Sequence, residues 1–189
     1  SHLSDDAFSE AVRLSRAPVL ASHSSCRHFT PGWERNLSDD MIRALASRGG
    51  IICVNFGSGF LRQDIRREMD RAWPAFTQYA NQRGLKFWDN EMIRFQQEYR
   101  RKNNIPYADV SDVARHIDHV VKLVGIDHVG LGSDFDGLGD DLPTGLKDVS
   151  GYPNLIEELL RMGYSESDIR KVCGENVLRV WAEVERAAR

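Results

Sequence analysis

His128-Val129-Gly130-Leu131-Gly132-Ser133 is a short apolar run that ends on Asp134. Just before it, Val113, Ile117, Val120, Val121 and Val124 keep helical spacing, which predicts a helix over 111–124, and Gly125 closes it. The glycines let the backbone approach its neighbours closely. A helix that feeds a buried strand ending in a carboxylate predicts a parallel α/β architecture, where chemistry gathers at strand ends.

Two more runs repeat the pattern. Ala17-Pro18-Val19-Leu20-Ala21-Ser22 delivers His23, and Ile51-Ile52-Cys53-Val54 delivers Asn55. Three predicted strands therefore present polar side chains at the same end. Between them, Ser4 caps a helix from Asp5 to about Leu14, and Ser38 caps a second one through Asp39, Asp40, Met41 and Leu45. Gly49-Gly50 stops that helix, and Gly57-Ser58-Gly59 reads as a turn. Pro153 opens a helix to Met162, Ser165 and Asp168 have the spacing of a capping box, and Asn176 to Ala188 forms a final amphipathic helix.

Residues 62–108 break the alternation. They are rich in Arg, Glu, Gln and aromatics and hold no clear strand. Helices over 66–82 and 90–102, separated by Gly84, make this a helical insertion at the strand-end face. It reads either as a solvated hairpin or as a substrate lid. Strand–helix order predicts right-handed crossovers. Three strands cannot close a barrel, and a whole one usually takes about 250 residues, so the chain reads as one partial barrel domain over 1–189.

Composition narrows the classes. The chain has 189 residues, 41% hydrophobic and 28% charged, with a formal charge of −3. That charge argues against a nucleic-acid partner. No apolar run approaches the roughly 20 residues that span a bilayer, so no membrane partner is expected. Cys26, Cys53 and Cys173 are few, odd in number and widely spaced. They fit a reducing, cytoplasmic setting better than a disulfide scaffold. Without a Cys-x-x-Cys, a structural zinc ribbon is not expected.

The candidate site residues each have a bland reading. His23 at its strand end suits a zinc ligand or a hydrogen-bonded core histidine, and its neighbours Ser22, Ser24 and Ser25 favour a site. Asp134 suits a metal ligand or a general acid/base, against a turn aspartate. Arg35 has the fork to hold a substrate carboxylate, yet spacing alone reads as a surface arginine. His116 and His119 share a helical face, and the valines around them favour structural roles; His128 begins its strand and is read as structural; His28 reads as a solvated loop histidine.

The stretches "SHLS", "SRAPVLASHSS", "ERNLSDDMI", "IICVNF", "HIDHVVKLVGIDHVGLGSDFDG", "YPNLIEELL" and "ENVLRV" together resemble the membrane (renal) dipeptidase family of zinc peptidases, in the family's order. The resemblance implies a (β/α)8 barrel of TIM type with two zinc ions, hydrolysing dipeptides. It implies that His2 and His23 are metal ligands, that Arg35 binds the substrate carboxylate with Asn36 beside it in the substrate site, and that Asp134 handles protons at the scissile amide. The family's early His-x-Asp pair, bridging Glu and a further substrate-binding His have no counterpart here. The resemblance thus makes the N-terminal half of the barrel a required partner. Self-association into a homo-oligomer stays open. So do another amidohydrolase or lactonase on the same scaffold and a catalytically incompetent fragment or structural subunit.

Overall fold

Leu20–Ala21 (β1), Ile51–Asn55 (β2) and Val129–Ser133 (β3) form one parallel sheet in the order β1-β2-β3 in a computed structural model that describes residues 1–189. Leu20 faces Ile51, and Ile52, Cys53 and Val54 face Val129, Gly130 and Leu131. The register slips between Val54 and Asn55, so Asn55 meets Ser133. Such an irregularity re-aims the side chains at a strand end. Every residue of β2 is buried, which explains its unbroken apolar run.

The helices are Asp5–Leu14 (α1), Asp39–Ala46 (α2), Ser58–Leu61 (α3), Gln63–Arg83 (α4), Asn90–Asn103 (α5), Val110–Val124 (α6), Tyr152–Arg161 (α7), Glu166–Arg170 (α8) and Asn176–Ala187 (α9). Caps fall where the sequence puts them. Ser4 accepts from the Ala7 N–H, Ser38 from the Met41 N–H, and Ser165 and Asp168 close a reciprocal capping box. A second box, Asp109 with Asp112, starts α6 and was not expected.

Ile42 and Leu45 of α2, Val113, Ile117 and Val120 of α6, and Leu155 and Leu159 of α7 are buried with Ile52, Val54 and Val129 in one core. Each such side chain contributes about 1.5–3 kcal/mol relative to exposure.

Three local expectations are corrected. The strand expected over 17–22 is ordered as β only at Leu20–Ala21. Pro18 has no N–H to give a ladder, and Ser22 and His23 turn away, although the Ser24 N–H still donates to Cys53 O. The strand expected from His128 begins at Val129, because Ile126–His128 form a 3₁₀ turn. Gly57-Ser58-Gly59 is not a free turn but leads into α3.

The insertion is helical as expected. Helix α4 runs through Pro74, ends on Gly84 in the left-handed region, and pairs with α5 around buried Ala72, Phe76, Ala80 and Met92. Tyr79 stacks on Phe95 at 3.8 Å. Buried Arg100 bridges to Asp141, and the Tyr107 hydroxyl donates to Asp140, so the hairpin docks on the loop after Asp134. A cavity of about 320 Å³ lies between them, lined by Arg66, Trp73, Phe87, Trp88 and Leu138 among others.

The free edge of β1 and the face of α9 beside it are apolar and uncovered. Leu20, Trp181 and Val184 are exposed there. No helix is long and apolar enough to cross a membrane.

Candidate active site at the strand ends

His23 lies in the turn after β1. Its backbone N–H donates to the Ser1 hydroxyl at 3.0 Å, and that hydroxyl lies 2.9 Å from Ser24 Oγ. This pins the chain's first residues against the turn and brings in His2, whose φ of 64° is left-handed. The two imidazoles meet with Nε2 atoms 2.9 Å apart. Two imidazole nitrogens on one tetrahedral zinc lie about 3.3 Å apart, given Zn–N bonds of about 2.0–2.1 Å. The two nitrogens stand at hydrogen-bond distance, close to the separation of two ligands on one ion. His23 Nδ1 is engaged by Ser22 Oγ at 2.8 Å, which leaves Nε2 for a ligand.

Electrostatics favour the ligating form. The Arg35 guanidinium, followed by burial, pushes the His2 pKa down. For His23, burial acts first and Arg35 second, in the same direction. Neutral imidazole is the form that binds metal.

Arg35 reaches the pair from the His2 side. One guanidinium nitrogen lies 3.3 Å from His2 Nε2, and the other donates to Ser24 Oγ at 3.2 Å. Its plane also approaches the Phe60 ring, at 5.1 Å. Asp134 closes the group from β3. Its negative charge raises the pKa of both histidines and of Arg35, opposing the other influences, so all four share one field. The Asp134 backbone is left-handed, with φ of 66° after Ser133 at 23°. Left-handed backbone at two consecutive non-glycine residues is a strained arrangement of a sort that gathers at functional sites. Asn55 Nδ2 donates to Asp134 Oδ2 at 2.9 Å, while Asn55 Oδ1 accepts from the Gly57 N–H at 2.7 Å.

His2, His23, Arg35 and Asp134 therefore converge. Asn36 does not. Its side chain is fully buried, accepts from the Ser25 N–H, and donates to Thr30 Oγ1 and Phe60 O. Buried and bonded at both ends of its amide, it fixes the loop that carries Arg35. The residue that sequence reasoning left off the site is Asn55, although its place at the end of the β2 run was the signal.

The remaining histidines divide as follows. His116 is buried; its Nδ1 accepts from the Cys26 N–H, so its Nε2–H donates to Leu61 O, a structural role as expected. His128 Nδ1 meets Gly50 O, also structural. His119 turns elsewhere, to Asp39 Oδ1 at 2.8 Å, with His28 stacked on it.

A family model described as Membrane dipeptidase (Peptidase family M19) matches residues 1–189. An uncharacterized protein in the pqqA 5' region of Klebsiella pneumoniae is 33% identical over 97% of this chain and 53% of its own length. An uncharacterized dipeptidase of Schizosaccharomyces pombe is 34% identical over all of this chain and 36% of its own length. Among solved structures, the probable dipeptidase PvdM from Pseudomonas aeruginosa superposes with a TM-score of 0.74 at 32% identity, covering 97% of this chain and 49% of that one. A metallo peptidase from Rhodobacter sphaeroides, solved with a phosphinate mimic of the dipeptide L-Ala-D-Ala, gives 0.70 at 31% identity, covering 97% and 41%. The chain thus spans about half or less of the length of these relatives and shares their α/β fold. It belongs to the membrane dipeptidase family, a family of metallopeptidases.

Proposed function

We propose that this chain is the C-terminal part of a (β/α)8 barrel that hydrolyses dipeptides with two zinc ions. The observation that carries the proposal is the meeting of His2 Nε2 and His23 Nε2 at 2.9 Å beside Arg35. Two neutral imidazoles with Asp134 nearby suit a borderline metal such as zinc. His2 and His23 would hold it, with the remaining ligands supplied by the N-terminal half. When bound, zinc supplies Lewis acidity that polarises an amide carbonyl and acidifies water.

The other steps fall to residues of this chain. Arg35 holds the substrate's terminal carboxylate through paired hydrogen bonds, which restricts substrates to short peptides. Asp134 takes the proton from the attacking water and delivers it to the leaving amine. Asn55 keeps its carboxylate in place. The uncovered edge at Leu20 and Trp181 is where the N-terminal half would pack.

The test is reconstitution: the chain is combined with the N-terminal half and zinc, then assayed on dipeptides. Hydrolysis is expected, with loss of about 10²-fold or more in Asp134→Asn. Absence of hydrolysis, or full hydrolysis by Asp134→Asn, defeats the proposal. Arg35→Ala should chiefly damage substrates with a free carboxylate. Equal loss on an uncharged ester or lactone would point to another amidohydrolase on the same scaffold.

A further inference from the structure

His28, Asp39 and His119 come from three separate parts of the chain. His28 lies in a 3₁₀ turn over Arg27–Phe29, Asp39 is the first residue of α2, and His119 is in the middle of α6. Their ligand atoms lie within 4.8 Å of one another. His119 Nε2 is 2.8 Å from Asp39 Oδ1, and the His28 ring stacks on the His119 ring at 4.4 Å with an interplanar angle of 22°. None of the three is among the residues placed at the strand-end site.

The fold holds these groups in place. Ser38 caps α2 and fixes the backbone at Asp39. Ile117 and Val120, on either side of His119, are buried. Phe29, next to His28, packs on the His116 ring at 4.3 Å and on the His119 ring at 5.5 Å. Of the three, only His28 is exposed, and an ion shared with His119 requires its ring to turn out of the stack.

We propose that His28, Asp39 and His119 bind a divalent transition-metal ion that clips the loop bearing Arg35 to α2 and α6. Two imidazoles and one carboxylate form a borderline donor set, suited to zinc, nickel or copper and poorly suited to magnesium or calcium. Binding releases the proton of the His119–Asp39 hydrogen bond to solvent and leaves further coordination positions to water. Because His28 lies seven residues before Arg35 in the same loop, an ion here restrains the segment that presents the guanidinium.

The test uses the 189-residue chain carrying His2→Ala and His23→Ala, so that the strand-end pair does not compete. Zinc is titrated calorimetrically, and copper(II) is examined by electron paramagnetic resonance. The expected result is one ion per chain, two-nitrogen splitting in the copper spectrum, and a zinc-dependent rise of about 5 °C in the unfolding midpoint. Adding His28→Ala, an exposed change that leaves the fold intact, should weaken zinc on the order of tenfold or more and reduce the splitting to one nitrogen. Failure to bind zinc, or unchanged affinity and splitting after His28→Ala, overturns the proposal. His119→Gln, checked for folding by circular dichroism, should give the same loss. Binding is read on a chain that lacks the strand-end histidine pair and turnover on the reconstituted dipeptidase, so failure here is separable from failure of the catalytic reading.

Discussion

The Asn55 carboxamide donates to Asp134 Oδ2 across 2.9 Å, and the same side chain accepts the Gly57 N–H at 2.7 Å. The slip between Val54 and Asn55 is what aims it there, from the end of a fully buried strand. Asn55 is thus a positioning residue for the proposed proton carrier.

Replacing Asn55 with Ala should lower kcat of the reconstituted enzyme about 10–100-fold with little change in KM. Asn55→Asp places a like charge beside the Asp134 carboxylate and should lower kcat likewise. A purely structural Asn55 would lower both variants' thermal stability while leaving kcat per folded enzyme unchanged.

Two glycines separate site from scaffold. A Cβ on Gly137 would sit 2.2 Å from Asp134 Oδ1, a side-chain atom that can swing away. Gly137→Ala should therefore cost activity, on the order of 10²-fold, from displacement of Asp134, while the unfolding midpoint barely shifts. A Cβ on Gly132 would sit 2.6 Å from the backbone oxygens of both Cys53 and Ser22, which have nowhere to go. Gly132→Ala should cost about 1–3 kcal/mol or more, read as a lower unfolding midpoint.

Acid stability should bear the mark of His116. Burial holds its folded-state pKa near 3, against 6.5 for the free imidazole. The unfolded chain therefore takes up this proton first as pH falls. Above about pH 6.5 the group contributes nothing to the pH dependence; between there and pH 3 it removes about 1.4 kcal/mol per pH unit. His116→Leu should flatten that limb in denaturant titrations. At pH 7 it should itself cost about 1–3 kcal/mol for each of the two partners left unpaired, the Cys26 N–H and Leu61 O.

The uncovered edge makes a further prediction. Trp181 is 63% exposed beside Leu20, which is 40% exposed. Trp181→Glu should leave the chain's circular dichroism unchanged yet weaken its complementation by the N-terminal half, measured as a higher half-saturating concentration. Unaltered complementation would show that the halves meet elsewhere.

The sequence by itself determined the order of elements. Helical spacing in 111–124, serine caps at Ser4, Ser38 and Ser165, and unbroken apolar runs are local patterns, and local patterns survive without knowledge of the fold. It also placed His23, Asn55 and Asp134 at strand ends, because side chains at the ends of parallel strands share one rim. Tertiary structure alone decided what those residues touch. Asn36 looked like a companion of Arg35, but packing against Thr30 and Phe60 turned it inward. His28, Asp39 and His119 showed no spacing motif, since 80 residues separate Asp39 from its hydrogen-bond partner. The left-handed backbone at Asp134 and the register slip beside it arise from contacts between strands. Periodicity records which face of an element is buried; the partner waiting across the gap is set by the chain's path through space.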